Sequence, residues 1–567
     1  MPSFPNLEYM DRRNFLRLGA AAGAGLLYSG WPRLSRAIPQ PQISLPSENA
    51  SWIERSIPQL QALMSSGALT SRELTLGYMQ RIDGLSPLLH AVIETNPNAV
   101  AIAAQLDTER RGGRLRGHLH GVPILVKDSI ATDDNMQTTA GSLALLNSRV
   151  PGDALLVNKL RAAGAVILGK ANLSEWAGFR GFAPFNGWSA RGGFSRNPYK
   201  LDFDPCGSSS GSAVAAAANL CAAAVGVETD GSIVCPAGNN LVVGLKPTLG
   251  LVPQDGIIPI AHSQDTAGPM ARSGTDVAIL LSALQSPFGP VVGHSVPSNY
   301  TLFLQRGALK GARIGIDQRY FTTDFGGEPD LVAVVNNIAI PALTSLGATV
   351  TPTDTGNLFN YMDAEITVLL IEFKAQIAQY LAALGHTQIR TLADLIAFDI
   401  AHCPQEMKYF GQEIFELSEA TSGDLNDPTY LAARQFCLQL TRAEGIDMAL
   451  AKDNLDAIIA PSHSFATSPA AVAGYPDIAV PVGLTPDGKP VGIWMYSTFL
   501  DEPKLLGFAY DLEQELKPRR TPQFLSSVPP LPPDAGICDT LPKTSQNQAG
   551  LPHLRRHLGT NKPIPWR

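Results

Sequence analysis

The chain has 567 residues, of which 45% are apolar and only 16% charged, with a formal net charge of −7. That length suits one large α/β domain with additions, or about two or three average domains. Lys and Arg are not clustered, which excludes a nucleic-acid partner, and the sparse charge suits a large core and a site for neutral substrates.

In chain order, Asp11-Arg12-Arg13-Asn14-Phe15-Leu16-Arg17 precedes a short Gly/Ala-rich apolar run over residues 18–27. A basic stretch with paired arginines followed by such a run resembles a twin-arginine export signal, here assigned to residues 1–37. The run is too short and too weakly apolar for a stable membrane span, which needs about 20 apolar residues. The expectation is therefore a mature protein without a membrane span, working in the periplasm or secreted. Residues 38–52 read as an extended lead-in.

From residue 53 the pattern turns helical. Ile57, Leu60, Leu63 and Met64, then Leu74, Tyr78 and Ile82, recur at three- and four-residue steps. Thr70 followed by Glu73 offers an N-cap, and a third helix is expected over 98–111. Short apolar runs bounded by Gly or Pro follow, at 122–126, 165–168, 312–316, 457–460, 478–482 and 491–495, and read as buried strands. Helices are expected between them at 153–163, 210–224, 274–286, 330–346 and 503–516. Strands alternating with helices predict an α/β fold: a large mixed β-sheet covered by helices on both faces, in a single catalytic domain over 53–520. Residues 360–442 read as a helical cap beside the sheet. Residues 521–567 are Pro-rich and aperiodic, and predict a poorly ordered tail.

The six cysteines (206, 221, 235, 403, 437 and 538) show no metal-like spacing. Small buried thiols are the expectation for Cys206, Cys221 and Cys235, and no disulfide can be assigned from spacing. His118-Leu-His120 and His262 lie in loops and read as hydrogen-bonded loop histidines rather than metal ligands. Neither a metal nor a cofactor is implied.

The middle of the chain carries the chemistry. Cys206-Gly-Ser-Ser-Ser-Gly-Ser212 feeds an alanine-rich helix, and Glu228-Thr-Asp-Gly-Ser-Ile-Val-Cys-Pro236 follows. No histidine occurs between His120 and His262, so a serine nucleophile here needs another base. One reading of Gly207-Ser208-Ser209-Ser210-Gly211 is the nucleophile elbow of an α/β-hydrolase esterase, with Ser209 attacking and Asp456 and His463 as partners. The context opposes it, because an elbow follows a buried strand and Asn197-Pro-Tyr-Lys-Leu-Asp-Phe-Asp-Pro205 cannot be one.

Taken together, Gly121-Val-Pro-Ile-Leu-Val-Lys-Asp128, Gly169-Lys-Ala-Asn-Leu-Ser-Glu175, Gly207-Ser-Ser-Ser-Gly211, Asp230-Gly-Ser-Ile-Val-Cys-Pro236, Gly244-Leu-Lys-Pro-Thr248 and Asp265-Thr-Ala-Gly-Pro-Met270 resemble the amidase signature family over about residues 53–520. Within it the chain is most similar to the peptide amidase branch. The resemblance implies hydrolysis of amides with release of ammonia through an acyl-enzyme, on C-terminal peptide amides. It implies a Ser-cisSer-Lys triad: Lys127 as base, Ser208 as the relay serine after a cis bond, and Ser232 as nucleophile. A lysine base must be neutral, so burial has to pull its pKa well below about 10.4. The backbone N–H groups of Thr229, Asp230 and Gly231 are the expected oxyanion donors.

Three features depart from the family pattern. Leu241 stands where the family usually has glycine, Gly238 and Asn239 are unusual, and the segment from Pro461 to Ala473 looks shorter than in peptide amidases. Alternatives are a hydrolase of small aliphatic or aryl amides, a component of an amidotransferase, or a non-catalytic binding protein on the same scaffold. The partner implied is a small-molecule or peptide amide, and nothing in the sequence sets an oligomeric state.

Overall fold

The computed structural model describes residues 50–541. The export signal expected over 1–37, and most of the lead-in over 38–52, lie outside the described residues.

Among the described residues thirteen strands form in chain order: β1 (Val92–Thr95), β2 (Pro123–Lys127), β3 (Val166–Ala171), β4 (Trp188–Ser189), β5 (Gly193–Phe194), β6 (Ala223–Glu228), β7 (Val243–Lys246), β8 (Thr266–Ala271), β9 (Arg313–Asp317), β10 (Thr349–Thr353), β11 (Ala457–Pro461), β12 (Asp477–Leu484) and β13 (Pro490–Tyr496). Eleven of them make one sheet in the order β1-β3-β2-β6-β8-β7-β12-β13-β11-β9-β10, and β4 and β5 pair separately. The sheet is mixed. β2 lies parallel to both β3 and β6, while β6–β8, β7–β8 and β12–β13 are antiparallel. The central strands β2, β3, β6 and β8 are buried along their whole length. That explains why they read as continuous apolar or small-residue runs rather than as an alternating pattern.

Local sequence signals account for the entry into this body. Thr70 caps the helix Ser71–Leu89: its hydroxyl accepts the Glu73 N–H at 3.1 Å, and the Glu73 carboxylate accepts the Thr70 N–H at 2.8 Å. The face Leu74, Tyr78, Ile82 and Leu85 is buried against the sheet core. Tyr78 also meets the ring of Trp52 edge-on at 4.7 Å.

Residues 360–442 are helical as expected, with Met362–Ala383, Leu392–Ala401, Glu413–Glu419 and Pro428–Leu438 as the main helices. Part of this region builds its own apolar centre, in which Phe373 stacks on Phe415 at 5.3 Å and Trp176 meets Phe415 at 5.5 Å. Among the described residues Met362–Ala383 is the one helix long and apolar enough to cross a membrane. Glu365 and Glu372 on that helix are buried, however, and Glu372 accepts the Tyr430 hydroxyl and the Ser263 N–H.

Three expectations need correction. The helix predicted over 210–224 ends at Ala217, and Ala223–Glu228 is the central strand β6. The break comes at Asn219, whose left-handed φ of 56° stops the helix. An alanine run between two glycine-bounded segments has no period that separates helix from strand. Of the tail predicted over 521–567, residues 542–567 lie outside the described residues, and the part that is described packs on the domain. Over 521–541 it lies against the body, where Phe524 and Leu525 donate N–H bonds to the Pro198 and Tyr199 carbonyls and Leu201 donates to Leu525. Cys538 is joined to Cys403, which follows the cap helix Leu392–Ala401. Finally, Cys206 and Cys235 are not free thiols but a disulfide with a Cα–Cα distance of 5.9 Å, whereas Cys221 is a buried thiol as expected.

Candidate active site

Lys127 ends β2, between β3 and β6, and is fully buried. Its Nζ donates to the Ser208 hydroxyl at 2.6 Å and to the Val227 carbonyl at 2.9 Å. Burial lowers its pKa from 10.5 to about 7, against the opposing pull of the Asp265 and Glu228 carboxylates. A half-neutral amine near pH 7 is therefore built in by the strand that carries it.

Ser208 follows a cis Gly207–Ser208 peptide bond. Its carbonyl accepts the Ser174 N–H at 3.0 Å, and Ser209 donates its N–H to the Ser232 carbonyl at 3.1 Å. The serine loop then enters the helix Ser210–Ala217, every residue of which is buried. Gly211 has no room for a side chain: a Cβ there would lie 2.4 Å from both the Ala91 and Asn172 carbonyl oxygens.

Ser232 sits in the turn between β6 and the short helix Val234–Asn239, and is 2% exposed. Gly231 before it has φ 76°, a conformation that favours glycine. The turn is held from within by Glu228. Its carboxylate accepts the N–H groups of Gly231 at 2.9 Å, Ile233 at 2.6 Å and Val234 at 3.0 Å. Burial pushes the Glu228 carboxyl up, and the Lys246 charge and these three N–H groups push it down. Gly231, one of the expected oxyanion donors, has its N–H directed at Glu228 in this arrangement. The Thr229 and Asp230 N–H groups are not among those that Glu228 accepts.

Asp265 adds a further constraint. Its carboxylate accepts the Thr229 hydroxyl at 2.6 Å and the N–H groups of Ile260 and Ala261, and burial raises its pKa to about 6. Beyond the turn, Asp230 and Glu365 are both buried carboxyls; burial pushes both up, Glu365 to about 7.

The elbow reading finds no support. Residues 197–205 form turns and bends rather than a strand. The Ser209 hydroxyl donates to the Val227 carbonyl at 3.1 Å and accepts the Val227 N–H at 3.2 Å. Asp456 accepts the Arg313 N–H, and His463 lies against the Phe203 ring and 3.7 Å from Glu328. His118, His120 and His262 are in loops: His120 meets the Leu106 carbonyl, and His262 pairs with Glu372 at 2.9 Å. Sequence reasoning missed Glu228. The signal was a glutamate four residues before a serine in a glycine turn, but only the fold shows that it bends back onto its own chain.

The family model described as Amidase matches residues 73–467, and the chain belongs to that family. A probable amidase of Arabidopsis thaliana is 41% identical over 494 residues, which are 85% of this chain and 93% of that one. Among solved structures, the peptide amidase of Stenotrophomonas maltophilia superposes with a TM-score of 0.79 at 49% identity, covering 84% of this chain and 100% of that one. An amidase family protein of Bacillus anthracis reaches a TM-score of 0.78 at 32% identity, covering 92% of this chain and 100% of that one. The protein is thus an enzyme, a hydrolase of amide C–N bonds.

Proposed function

We propose that the protein hydrolyses the C-terminal amide of peptides through Lys127, Ser208 and Ser232. Neutral Lys127 takes the Ser208 proton while Ser208 takes that of Ser232, and the Ser232 oxygen attacks the amide carbon. The oxyanion that forms is held by the N–H groups of Thr229 and Asp230. Collapse breaks the C–N bond as the proton returns along the same path to the departing nitrogen, which leaves as ammonia. Water then attacks the acyl-Ser232 ester and gives its proton to the lysine through Ser208; as the ester C–O bond breaks, that proton returns by the same path to the Ser232 oxygen, and the acid is released.

The observation that carries this reading is the 2.6 Å bond from a buried, readily neutralised Lys127 to Ser208. The peptide preference is supported by the 49% identity to a peptide amidase. It is also supported by the half-buried rings of Phe179, Phe182, Phe325, Phe359 and Phe465, packed on the same cluster as Ile233 and Val234 beside the nucleophile. Such rings suit an apolar side chain next to the scissile amide.

Export is part of the same reading. Arg12 and Arg13 before a short apolar run support it, as do two disulfides, which persist in oxidising compartments. That compartment argues against a role within a cytosolic amidotransferase, although a glutamyl-tRNA(Gln) amidotransferase subunit of Halorhodospira halophila is 32% identical over 486 residues, 81% of this chain and 97% of that one.

The test is ammonia release from a dipeptide amide, from acetamide and from benzamide, by the wild type and by Ser232→Ala. Turnover of the peptide amide alone, abolished in Ser232→Ala, is the expected result. Equal turnover of acetamide would replace the peptide reading with a small-amide one, and an active Ser232→Ala would overturn the triad.

A further inference from the structure

The two serines of the proposed relay sit on different segments: Ser208 in the loop before one helix, Ser232 in the turn before another. A proton passes between two hydroxyls only when the oxygens are within about 3 Å, so something has to set the distance between those segments. The Ser209 N–H bond to the Ser232 carbonyl joins them directly. Further ties run through residues 204–206 and the helix Val234–Asn239 together with Asn240 just beyond it. Asn239 Nδ2 donates to the Asp204 carbonyl at 3.0 Å, and Asn240 Nδ2 donates to the Pro205 carbonyl at 2.8 Å. Cys206 is bonded to Cys235 across the same seam.

The bridge is close to both ends of the relay. Cys206 lies two residues before Ser208, and Cys235 three residues after Ser232. Both cysteines are fully buried. Cys206 is fixed further by its own N–H, which donates to Asp204 Oδ1 at 2.7 Å, and by its carbonyl, which accepts the Ser210 hydroxyl. The bridge therefore ties two short, otherwise braced turns rather than two mobile loops.

We propose that the Cys206–Cys235 disulfide is a positioning element of the catalytic site, holding the Ser208 loop at relay distance from the Ser232 turn. The proposal rests on the triad reading above. Without the bridge, the Ser209 backbone bond and the Asn239 and Asn240 amides lose a covalent partner in holding the spacing, and a small widening of a hydroxyl–hydroxyl gap slows proton transfer while leaving the substrate pocket in place. The other disulfide, Cys403–Cys538, ties the C-terminal segment to the cap, has no residue of the proposed relay near it in sequence, and serves as the internal control.

The experiment compares wild type, C206S/C235S, C403S/C538S and S232A in ammonia release from a dipeptide amide. Active sites are counted by mass detection of a fluorophosphonate serine probe. C206S/C235S is expected to lose kcat per titrated site by roughly tenfold to a hundredfold, the scale on which a misplacement of about 1 Å acts. Its KM should stay within about twofold and the acid limb of its pH profile should not move, since neither the pocket nor Lys127 is altered. C403S/C538S should melt earlier and keep its kcat. If C206S/C235S does not fold, C206A/C235V fills the same space without hydroxyls and is measured instead. Wild-type kcat per site in the folded variant would overturn the proposal, as would an equal kcat loss in C403S/C538S. An active S232A would remove the triad reading beneath it, whereas an inactive S232A with a fully active C206S/C235S would remove the disulfide proposal alone.

Discussion

The carboxylate of Glu228 accepts the backbone N–H of Gly231 at 2.9 Å, so the last residue of β6 folds back to brace the turn that begins with the next residue. Because Ile233 and Val234 donate to the same side chain, the turn around Ser232 is organised about one buried carboxyl group. Replacing it with an amide puts an NH2 group against backbone N–H donors. Hydrogen bonds to a charged group contribute about 1.5–3 kcal/mol. Glu228→Gln should therefore lower kcat by roughly tenfold to a hundredfold with little change in KM, because the turn and not the substrate pocket is loosened. Steady-state kinetics on a peptide amide would check this, and wild-type kcat would refute the bracing role.

Lys127 predicts a pH profile with a definite sign. Burial brings its pKa to about 7, and only the neutral amine accepts a proton. The log of kcat/KM should rise with unit slope up to about pH 7 and then level off, and a flat profile down to pH 4 would contradict a lysine base. Stability follows from the same shift. The unfolded chain holds this proton up to 10.5, and the folded chain gives it up at about 7. Between those values unfolding takes up a proton, so the lysine's contribution to stability rises with pH. Below pH 7 its full penalty applies. Lys127→Met should thus be inactive, and its melting temperature relative to wild type should be most favourable below pH 7, with that advantage gone above pH 10.5.

The proposed triad came from the family resemblance, which falls on Lys127 at the end of an apolar run, Ser208 between glycines and Ser232 after Gly231, whereas each of these alone reads as an ordinary strand end or turn. The cap was legible from helical periodicity over 360–442. What failed was context. β6 and β8 are strands of small residues, and Ala223, Ala224 and Gly268 carry no alternation because both faces are covered. Cys206 and Cys235 are separated by 29 residues, and only the meeting of the serine loop with the Ser232 turn brings them to 5.9 Å. Leu525 gave no sign of order, since its bonds to Tyr199 and Leu201 depend on a partner more than three hundred positions away in the chain. Leu241, where the family usually has glycine, keeps the left-handed backbone with φ 53° and buries its side chain completely.

Ser209 offers a separation of roles within one loop. Its hydroxyl is committed at both valences to Val227, donating to the carbonyl and accepting the N–H. Ser209→Ala leaves those two backbone groups with one partner fewer each, at a cost of about 1–3 kcal/mol in stability. Turnover should stay within a few-fold of wild type, because no step of the proposed reaction uses this oxygen. Thermal melting and kinetics on the same preparation would test both halves. Loss of activity in a folded Ser209→Ala would return the elbow reading to consideration.

Arg180 carries the last prediction. It is fully buried, 2.9 Å from Glu175, 3.7 Å from Glu406 and 4.0 Å from Asp399, all of them buried, and its guanidinium lies 4.1 Å from the Phe410 ring centre. The cluster joins the cap, through Asp399 and Glu406, to the residue that follows Ser174 in the motif supporting the relay serine. One guanidinium faces three carboxyls, and burial raises the pKa of all three. A carboxyl raised in the folded state keeps its proton to higher pH than in the unfolded chain, so its contribution to stability is complete at low pH and is lost as pH rises through the folded value. Stability should therefore decline as pH rises above the ordinary carboxyl range, until the raised folded values are passed. Glu406→Gln, which removes one ionisable group while keeping an acceptor for the Leu143 N–H and the Ser142 hydroxyl, should flatten that decline. Arg180→Met, which removes the cation and leaves its partners buried, should destabilise the protein by about 3–5 kcal/mol. Denaturant melts at a series of pH values would measure both, and a Glu406→Gln curve parallel to wild type would show that the cluster does not titrate.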